Sequence, residues 1–322
     1  MDTPTGIRSV IEERANRLAD LCRGLPVTRA YPLLAEIALP VDLLAMLRRA
    51  TARYLRASLA CYRPDRRPAT TAHFLQELRD DLLQLPNRTP NGKLAAKQEV
   101  AEEFNLVQQA VELVFRQLGI SSHVEAIQLP MNVRLVDGRP DVAVESRPYA
   151  TSKMHSDIWT GEAADSVTVI IPVLGDIENT GLEFFEPAFE RVEDFVKTFS
   201  DYLDTQVFCA DGNRYRLAMN ASSLYAFDSF LLHQTVKRNG GVRVSIDFRF
   251  LYKHKLASDI QRDASRAPHY VPESEWYTLE RGTFLQPTGT FAEAVRKYAG
   301  TALSRGGPTG ESEFSVIPWE TR

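Results

Sequence analysis

Residues Val242-Arg243-Val244-Ser245-Ile246-Asp247-Phe248-Arg249-Phe250 alternate apolar and polar side chains without a break. A period of two marks a β-strand, because successive side chains leave opposite faces of the pleat. Val242, Val244, Ile246, Phe248 and Phe250 therefore share one face, and Arg243, Ser245, Asp247 and Arg249 the other. Taken alone, the strand reads as half-exposed, with its apolar side inward and its polar side in water.

Upstream lie further short β-rich runs at residues 130–136, 142–144, 167–174, 182–185 and 224–227, separated by turn residues. Many short strands at close spacing predict an antiparallel sandwich or barrel, not an alternating βαβ sheet. No Gly-rich phosphate-cradling motif is present. The first third reads differently. Residues 7–25, 40–59, 73–85 and 92–118 place apolar side chains at three- and four-residue spacing, the helical period. In the last of these, Val100, Phe104, Val107, Ala110, Val111, Val114 and Phe115 form a wide stripe, and Gly119 stands where a C-cap would end it. Residues 186–215 read as an insertion between strands. After Tyr252 the chain is irregular, with a helix expected over 291–303 and with Trp276 and Tyr277 in a segment that could close over a site. The expectation is an α+β catalytic domain: residues 1–120 a helical buttress, 124–252 a β core, and 253–322 a lid and tail.

Composition narrows the classes of function. With 44% apolar and 25% charged residues in 322, the chain can bury a sizeable core and is not a disordered polymer. A formal net charge of −4 is a poor match to nucleic acid, whose binders rely on cationic contacts to phosphate. Spanning a membrane takes about 20 consecutive apolar residues, and no such run occurs. The N-terminus lacks an apolar signal core. Three scattered cysteines, Cys22, Cys61 and Cys209, read as small buried apolar groups in a reducing cytoplasm.

The chemistry-bearing residues are few. One of six histidines sits in Met154-His155-Ser156-Asp157. In an extended segment, residues two apart point to the same side, so the His155 imidazole and the Asp157 carboxylate converge. His233 follows 78 residues after His155, in Phe230-Leu231-Leu232-His233-Gln234-Thr235. A histidine beside such an apolar run is usually a core residue. Two imidazoles and one carboxylate that leave coordination positions open are also the ligand pattern of non-haem Fe(II) oxygenases. Ten residues beyond His233, Arg243 and Ser245 share a strand face. A guanidinium fork and a hydroxyl suit a carboxylate.

The order His155, Asp157, His233, Arg243, Ser245 (an HxD triplet, a distal histidine, then RxS) resembles the Fe(II)/2-oxoglutarate-dependent dioxygenase superfamily. The resemblance covers roughly residues 130–252, and the helices before the sheet are similar to the phytanoyl-CoA-hydroxylase-like and sugar-hydroxylase-like branches. It implies a double-stranded β-helix, or jelly roll, buttressed by the N-terminal helices. It implies Fe(II) held by His155, Asp157 and His233, with Arg243 and Ser245 on the distal carboxylate of 2-oxoglutarate. O2 would be the oxidant, with succinate and CO2 released. The implied substrate is a small polar metabolite such as a sugar, an aminoglycoside-like molecule or an amino acid derivative. The family's halogenating branch replaces the carboxylate with a small residue, so Asp157 implies hydroxylation or another oxidation over halogenation. Desaturation, epimerisation and ring closure use the same site, and a jelly-roll binding protein without catalysis is the alternative class.

Further candidates surround these five. Asn132, Arg134 and Thr168 could face the cosubstrate or substrate, and Trp159 could wall the substrate. Arg249 and Asp247 could pair with each other or with a polar substrate, and Gln234 could orient the His233 ring. His73, His123, His254 and His269 show no ligand-like spacing.

Overall fold

The structure, a computed structural model, describes residues 6–66, 74–96, 98–187, 191, 193, 199–208, 214, 215, 217–238, 240–259, 270–273, 283–287 and 314–318. Helix α1 (Ile7–Leu21) leads into a hairpin of β1 (Val27–Tyr31) and β2 (Leu34–Ala38), then α2 (Val41–Tyr62). Two short helices, α3 (Phe74–Glu77) and α4 (Arg79–Leu83), precede β3 (Lys93–Leu94) and α5 (Ala101–Leu118). Strands β4 (Val124–Gln128) and β5 (Asn132–Asp137), the turn of helix α6 (Val142–Glu145), β6 (Ser166–Gly175), α7 (Ile177–Thr180) and β7 (Leu182–Phe185) follow. Beyond them come β8 (Ser223–Asp228), β9 (Leu232–Thr235), β10 (Val242–Tyr252), β11 (Tyr270–Pro272), β12 (Thr283–Pro287) and β13 (Phe314–Pro318).

Nine strands join in one antiparallel sheet of order β1-β2-β8-β6-β10-β4-β11, with β5 also on β10 and β3 on β5. Strand β10 is its axis: it pairs along one edge with β6 and along the other with β5 and then β4. Pro172 of β6 cannot donate to that ladder, and a bulge between Val244 and Ser245 accommodates it. The apolar face of β10 lies under α5, whose Phe115 ring meets Phe248 at 5.4 Å and Phe250 at 5.8 Å. The stripe read from the sequence is the buried face of this helix, and Gly119 ends it in the left-handed region at φ 78°. A two-stranded ribbon, β7 with β9, covers the other side of the sheet, with Phe184 against Phe227 at 5.4 Å. No described helix is long and apolar enough to cross a membrane.

The α+β character and the antiparallel strands match the sequence reading, but several elements differ from it. The first third is not helical throughout, because β1 and β2 fill residues 27–38 and extend the large sheet beside β8. The helix expected from residue 92 begins at Ala101, after strand β3 and a 3-10 turn at Gln98–Val100. Residues 73–85 break at Leu78 into α3 and α4. The run 142–144 is helix α6, not strand, since the Asp141 side chain caps it by accepting from the Ala143 and Val144 amides. Cys61 is exposed and Cys22 half-buried, against the expectation that both are core. His73, Cys209, His269, Trp276, Tyr277 and the helix expected over 291–303 lie outside the described residues.

Candidate metal centre

Ser156 is extended, with φ −111° and ψ 140°, and Asp157 opens a 3-10 turn, Asp157–Thr160. The segment is therefore not a continuous strand, as the spacing argument assumed, yet His155 and Asp157 still converge. The partner strand supplies the third group. His155 and His233 form an antiparallel bridge in which each amide donates to the other's carbonyl at 2.9 Å. Ser156 Oγ anchors the same region by donating to the Ser229 carbonyl at 2.6 Å. One ligand atom from each of His155, Asp157 and His233 lies within 4.8 Å of the others, and all three side chains are buried.

The local bonding prepares these groups as donors. His155 Nδ1 meets the Lys153 carbonyl at 2.9 Å, and His233 Nδ1 meets the Leu231 carbonyl at 3.2 Å. A carbonyl only accepts, so each Nδ1 carries the proton and each Nε2 keeps its lone pair for the centre. Burial and the neighbouring His233 push the His155 imidazole down to about 3, and burial lowers His233 as well, so both rings are neutral near pH 7. Burial alone would raise the Asp157 carboxyl, but Arg249 and the two imidazoles outweigh it and hold it well below the usual range. Two neutral nitrogens and one ionised oxygen converge.

Asp157 is oriented by residues from two strands in register. Thr168 of β6 lies opposite Arg249 of β10. Thr168 Oγ1 donates to Asp157 Oδ2, and Arg249 donates to the same oxygen from Nε at 3.1 Å and to Oδ1 from Nη2 at 2.8 Å. Oδ1 is the oxygen facing the imidazoles, 3.9 Å from His233 Nε2. Oδ2 thus takes two donors and Oδ1 is turned toward the centre. Arg249 also lies 3.3 Å from Glu162, whose carboxyl burial pushes up to about 7. Arg249 and Asp247, which could pair with each other or with a polar substrate, do not pair with each other. Asp247 instead accepts from Arg134 (2.7 and 2.9 Å) and from the Asn132 amide at 3.0 Å.

Arg243 and Ser245 line the same cavity as His155, Asp157 and His233 and are both 1% exposed. Arg243 Nε and Nη1 and Ser245 Oγ are buried and have no hydrogen-bond partner among the described residues. Burial, followed by the charge of Arg134, lowers the Arg243 guanidinium to about 10. Unpaired donors buried at this depth cost about 1–3 kcal/mol each unless an acceptor meets them. The polar face of β10 is accordingly a cavity wall, not the solvent face that alternation alone suggests, because the β7–β9 ribbon covers it.

Of the remaining candidates, Arg134 and Thr168 line the cavity, while Asn132 holds Asp247. Trp159 is 1% exposed and packs edge-on against Phe199 at 5.0 Å, in the second apolar core. Gln234 does not orient His233; its amide donates to Glu183 at 2.8 Å, and the Leu231 carbonyl orients the ring. Two residues gave no signal in the sequence. Tyr202 stacks on His155 at 4.5 Å, and Glu162 pairs with Arg249.

No family model matches the chain, and no curated protein matches it by sequence. Solved structures do. The non-haem α-ketoglutarate-dependent carbocyclase SnoK from nogalamycin biosynthesis covers 98% of this chain and 100% of its own, at 11% identity and a TM-score of 0.38. AviO1 from Streptomyces viridochromogenes Tue57 covers 74% of this chain and 96% of its own, at 14% identity and a TM-score of 0.38. EctD from S. alaskensis, with bound Fe, covers 77% and 81% at 13% identity and a TM-score of 0.35. Non-haem α-ketoglutarate-dependent enzymes stand among these likenesses. At identities and TM-scores this low, the functional reading rests on the geometry of the site.

Proposed function

We propose that the chain is an Fe(II)/2-oxoglutarate-dependent oxygenase that hydroxylates a C–H bond of a small polar metabolite, on a double-stranded β-helix formed by the large sheet and the β7–β9 ribbon. One observation carries the reading: a triad of two neutral imidazoles and an ionised carboxylate shares a buried cavity with the unpartnered donors of Arg243 and Ser245. The donor set fits a ferrous ion, and the orphaned guanidinium and hydroxyl fit a carboxylate.

His155, Asp157 and His233 would hold the ion, which when bound supplies redox and Lewis-acid chemistry toward O2 and the keto acid. The backbone carbonyls of Lys153 and Leu231 keep both Nδ1 protons in place, so the imidazoles present Nε2 without rearrangement. Thr168 and Arg249 hold Asp157 with one oxygen toward the centre. Arg243 and Ser245 would bind the far carboxylate of 2-oxoglutarate, and Ile170 and Leu182 in the cavity wall exclude water from the reacting groups.

Anaerobic addition of Fe(II) and 2-oxoglutarate tests this: a keto-acid chelate on such a centre gives a weak visible charge-transfer band near ~500 nm. Absence of the band together with absence of bound iron overturns the reading. Asp157→Ala is expected to abolish 2-oxoglutarate turnover through lost iron binding, and turnover at the wild-type rate would remove Asp157 from the ligand set.

A further inference from the structure

A second uncompensated cation stands beside the cavity, next to Arg134 of its wall. Lys93 of the edge strand β3 pairs directly with Arg134 of β5. Directly opposed residues on antiparallel strands project from the same face, so Lys93 rises on the side where Arg134 reaches Asp247. Its position is fixed from behind. Gly92 has φ +83°, its carbonyl accepts from the Leu135 amide at 2.7 Å, and a Cβ there would meet the Leu135 oxygen at 2.5 Å. The turn can hug β5 this closely only because residue 92 is glycine. Arg134 Nη1 donates to the Asn91 carbonyl at 3.0 Å and closes the turn against the strand.

The charges around the cavity pair off except at two places. Arg134 is committed to Asp247, and Arg249 to Asp157 and Glu162. Arg243 is left for the cosubstrate. The Lys93 ammonium makes no ion pair or side-chain hydrogen bond among the described residues; its backbone is held by Thr89, whose Oγ1 accepts from the Lys93 amide at 3.0 Å and whose amide donates to the Lys93 carbonyl at 2.8 Å. Burial, and then the nearby charge of Arg134, disfavour that ammonium, with Arg249 acting in the same sense and Asp247 against it. A half-buried lysine beside two arginines is stabilised by an anion, and 2-oxoglutarate offers only one carboxylate beyond the end that would chelate the metal.

We propose that Lys93 is a specificity-determining residue that binds an oxyanion, a carboxylate or phosphate group, on the substrate to be oxidised. This rests on the oxygenase reading and names the substrate class for the same site: small polar molecules bearing an anionic group, which Lys93 holds at the β3–β5 edge of the cavity.

The test uses anaerobic protein loaded with Fe(II) and saturating 2-oxoglutarate, so that Arg243 is engaged. Acetate and inorganic phosphate are titrated in separately by calorimetry. Wild type is expected to bind at least one of them, and the tighter of the two identifies the substrate's group as carboxylate or phosphate. Lys93→Gln should weaken that binding by about 10- to 100-fold, the range for one charge-assisted hydrogen bond, and Lys93→Arg should restore it. The charge-transfer titration should give the same 2-oxoglutarate affinity in wild type and Lys93→Gln. Equal oxyanion binding in Lys93→Gln, no binding in wild type, or a weakened 2-oxoglutarate affinity in Lys93→Gln overturns the proposal. If the charge-transfer band never forms in wild type, the oxygenase reading fails by itself. The same titrations on Arg243→Ala then still report whether an oxyanion binds at Lys93.

Discussion

Arg243 is the most exposed test of the site's chemistry, since its guanidinium lies 1% exposed with two nitrogens unpaired. An uncompensated buried charge destabilises the protein that carries it. Arg243→Met fills similar volume without the charge. It is expected to raise the stability of the metal-free protein by about 1–3 kcal/mol while abolishing 2-oxoglutarate binding. Denaturant melts and the charge-transfer titration measure the two effects, and a variant less stable than wild type would mean that Arg243 is compensated by the protein itself. Glu162 makes a pH-dependent counterpart. Its unfolded carboxyl ionises near 4.5 and its folded one near 7, so the folded state holds the extra proton, and this group's contribution to stability falls as pH rises from 4.5 to 7. Glu162→Gln keeps the neutral form. Relative to wild type it should gain about 2–3 kcal/mol between pH 4.5 and 8, and a difference that stays flat across that range in paired melts counts against a raised carboxyl.

At the scale of elements, helix α1 reaches the candidate metal centre through one side chain. Arg14 is fully buried and donates from Nε to Asp228 Oδ1 at 2.8 Å, from Nη1 to Asp259 at 3.0 Å, and from Nη2 to Ser229 Oγ and the Ala164 carbonyl. Its guanidinium lies 3.7 Å from the centroid of the Phe230 ring. It thus holds the turn between β8 and β9 that delivers His233. Arg14→Leu removes the nearer of two guanidinium groups from the Asp228 carboxylate, leaving Arg17 at 3.7 Å, and is expected to cost about 3–5 kcal/mol. Iron affinity should fall with it; wild-type iron binding in a destabilised variant would separate the helix from the site. No apolar periodicity in α1 announces this, because the residue acts as a charge in a core. The ribbon β7–β9 was likewise only half legible. Its strand at 182–185 was read, but nothing in the alternation of 242–250 says that a segment next to His233 covers the polar face. The hairpin β1–β2 is masked in the sequence because two five-residue strands joined by Pro32 and Leu33 sit between strongly periodic helices. In α6, the local bonds of the Asp141 cap overrode the β-preference of Val142 and Val144. What did read through were His155, Asp157 and His233 with their spacing, and the two faces of β10. The roles of Thr168 and Arg249 depend on the β6–β10 register, which no single strand records.

For the molecule as a whole, the centre joins a heavily supported sheet to a slight one. His155 and Asp157 stand beside the nine-stranded sheet and its helices, whereas His233 belongs to a ribbon of two four-residue strands, a unit with marginal stability of its own. On the oxygenase reading, detachment of that ribbon is expected to govern how the ion enters and leaves. The amides of His155 and His233, each bonded to the other's carbonyl, report on the same opening. Iron or a redox-inert divalent surrogate should slow deuterium uptake at both by the same factor, set by free ion over its dissociation constant, and leave unaffected the amides that open without disturbing the site. Unequal slowing at the two would show that the ion escapes without the ribbon peeling away. Release kinetics of a bound ion would then be written in the fraying of eight residues rather than in the strength of its bonds.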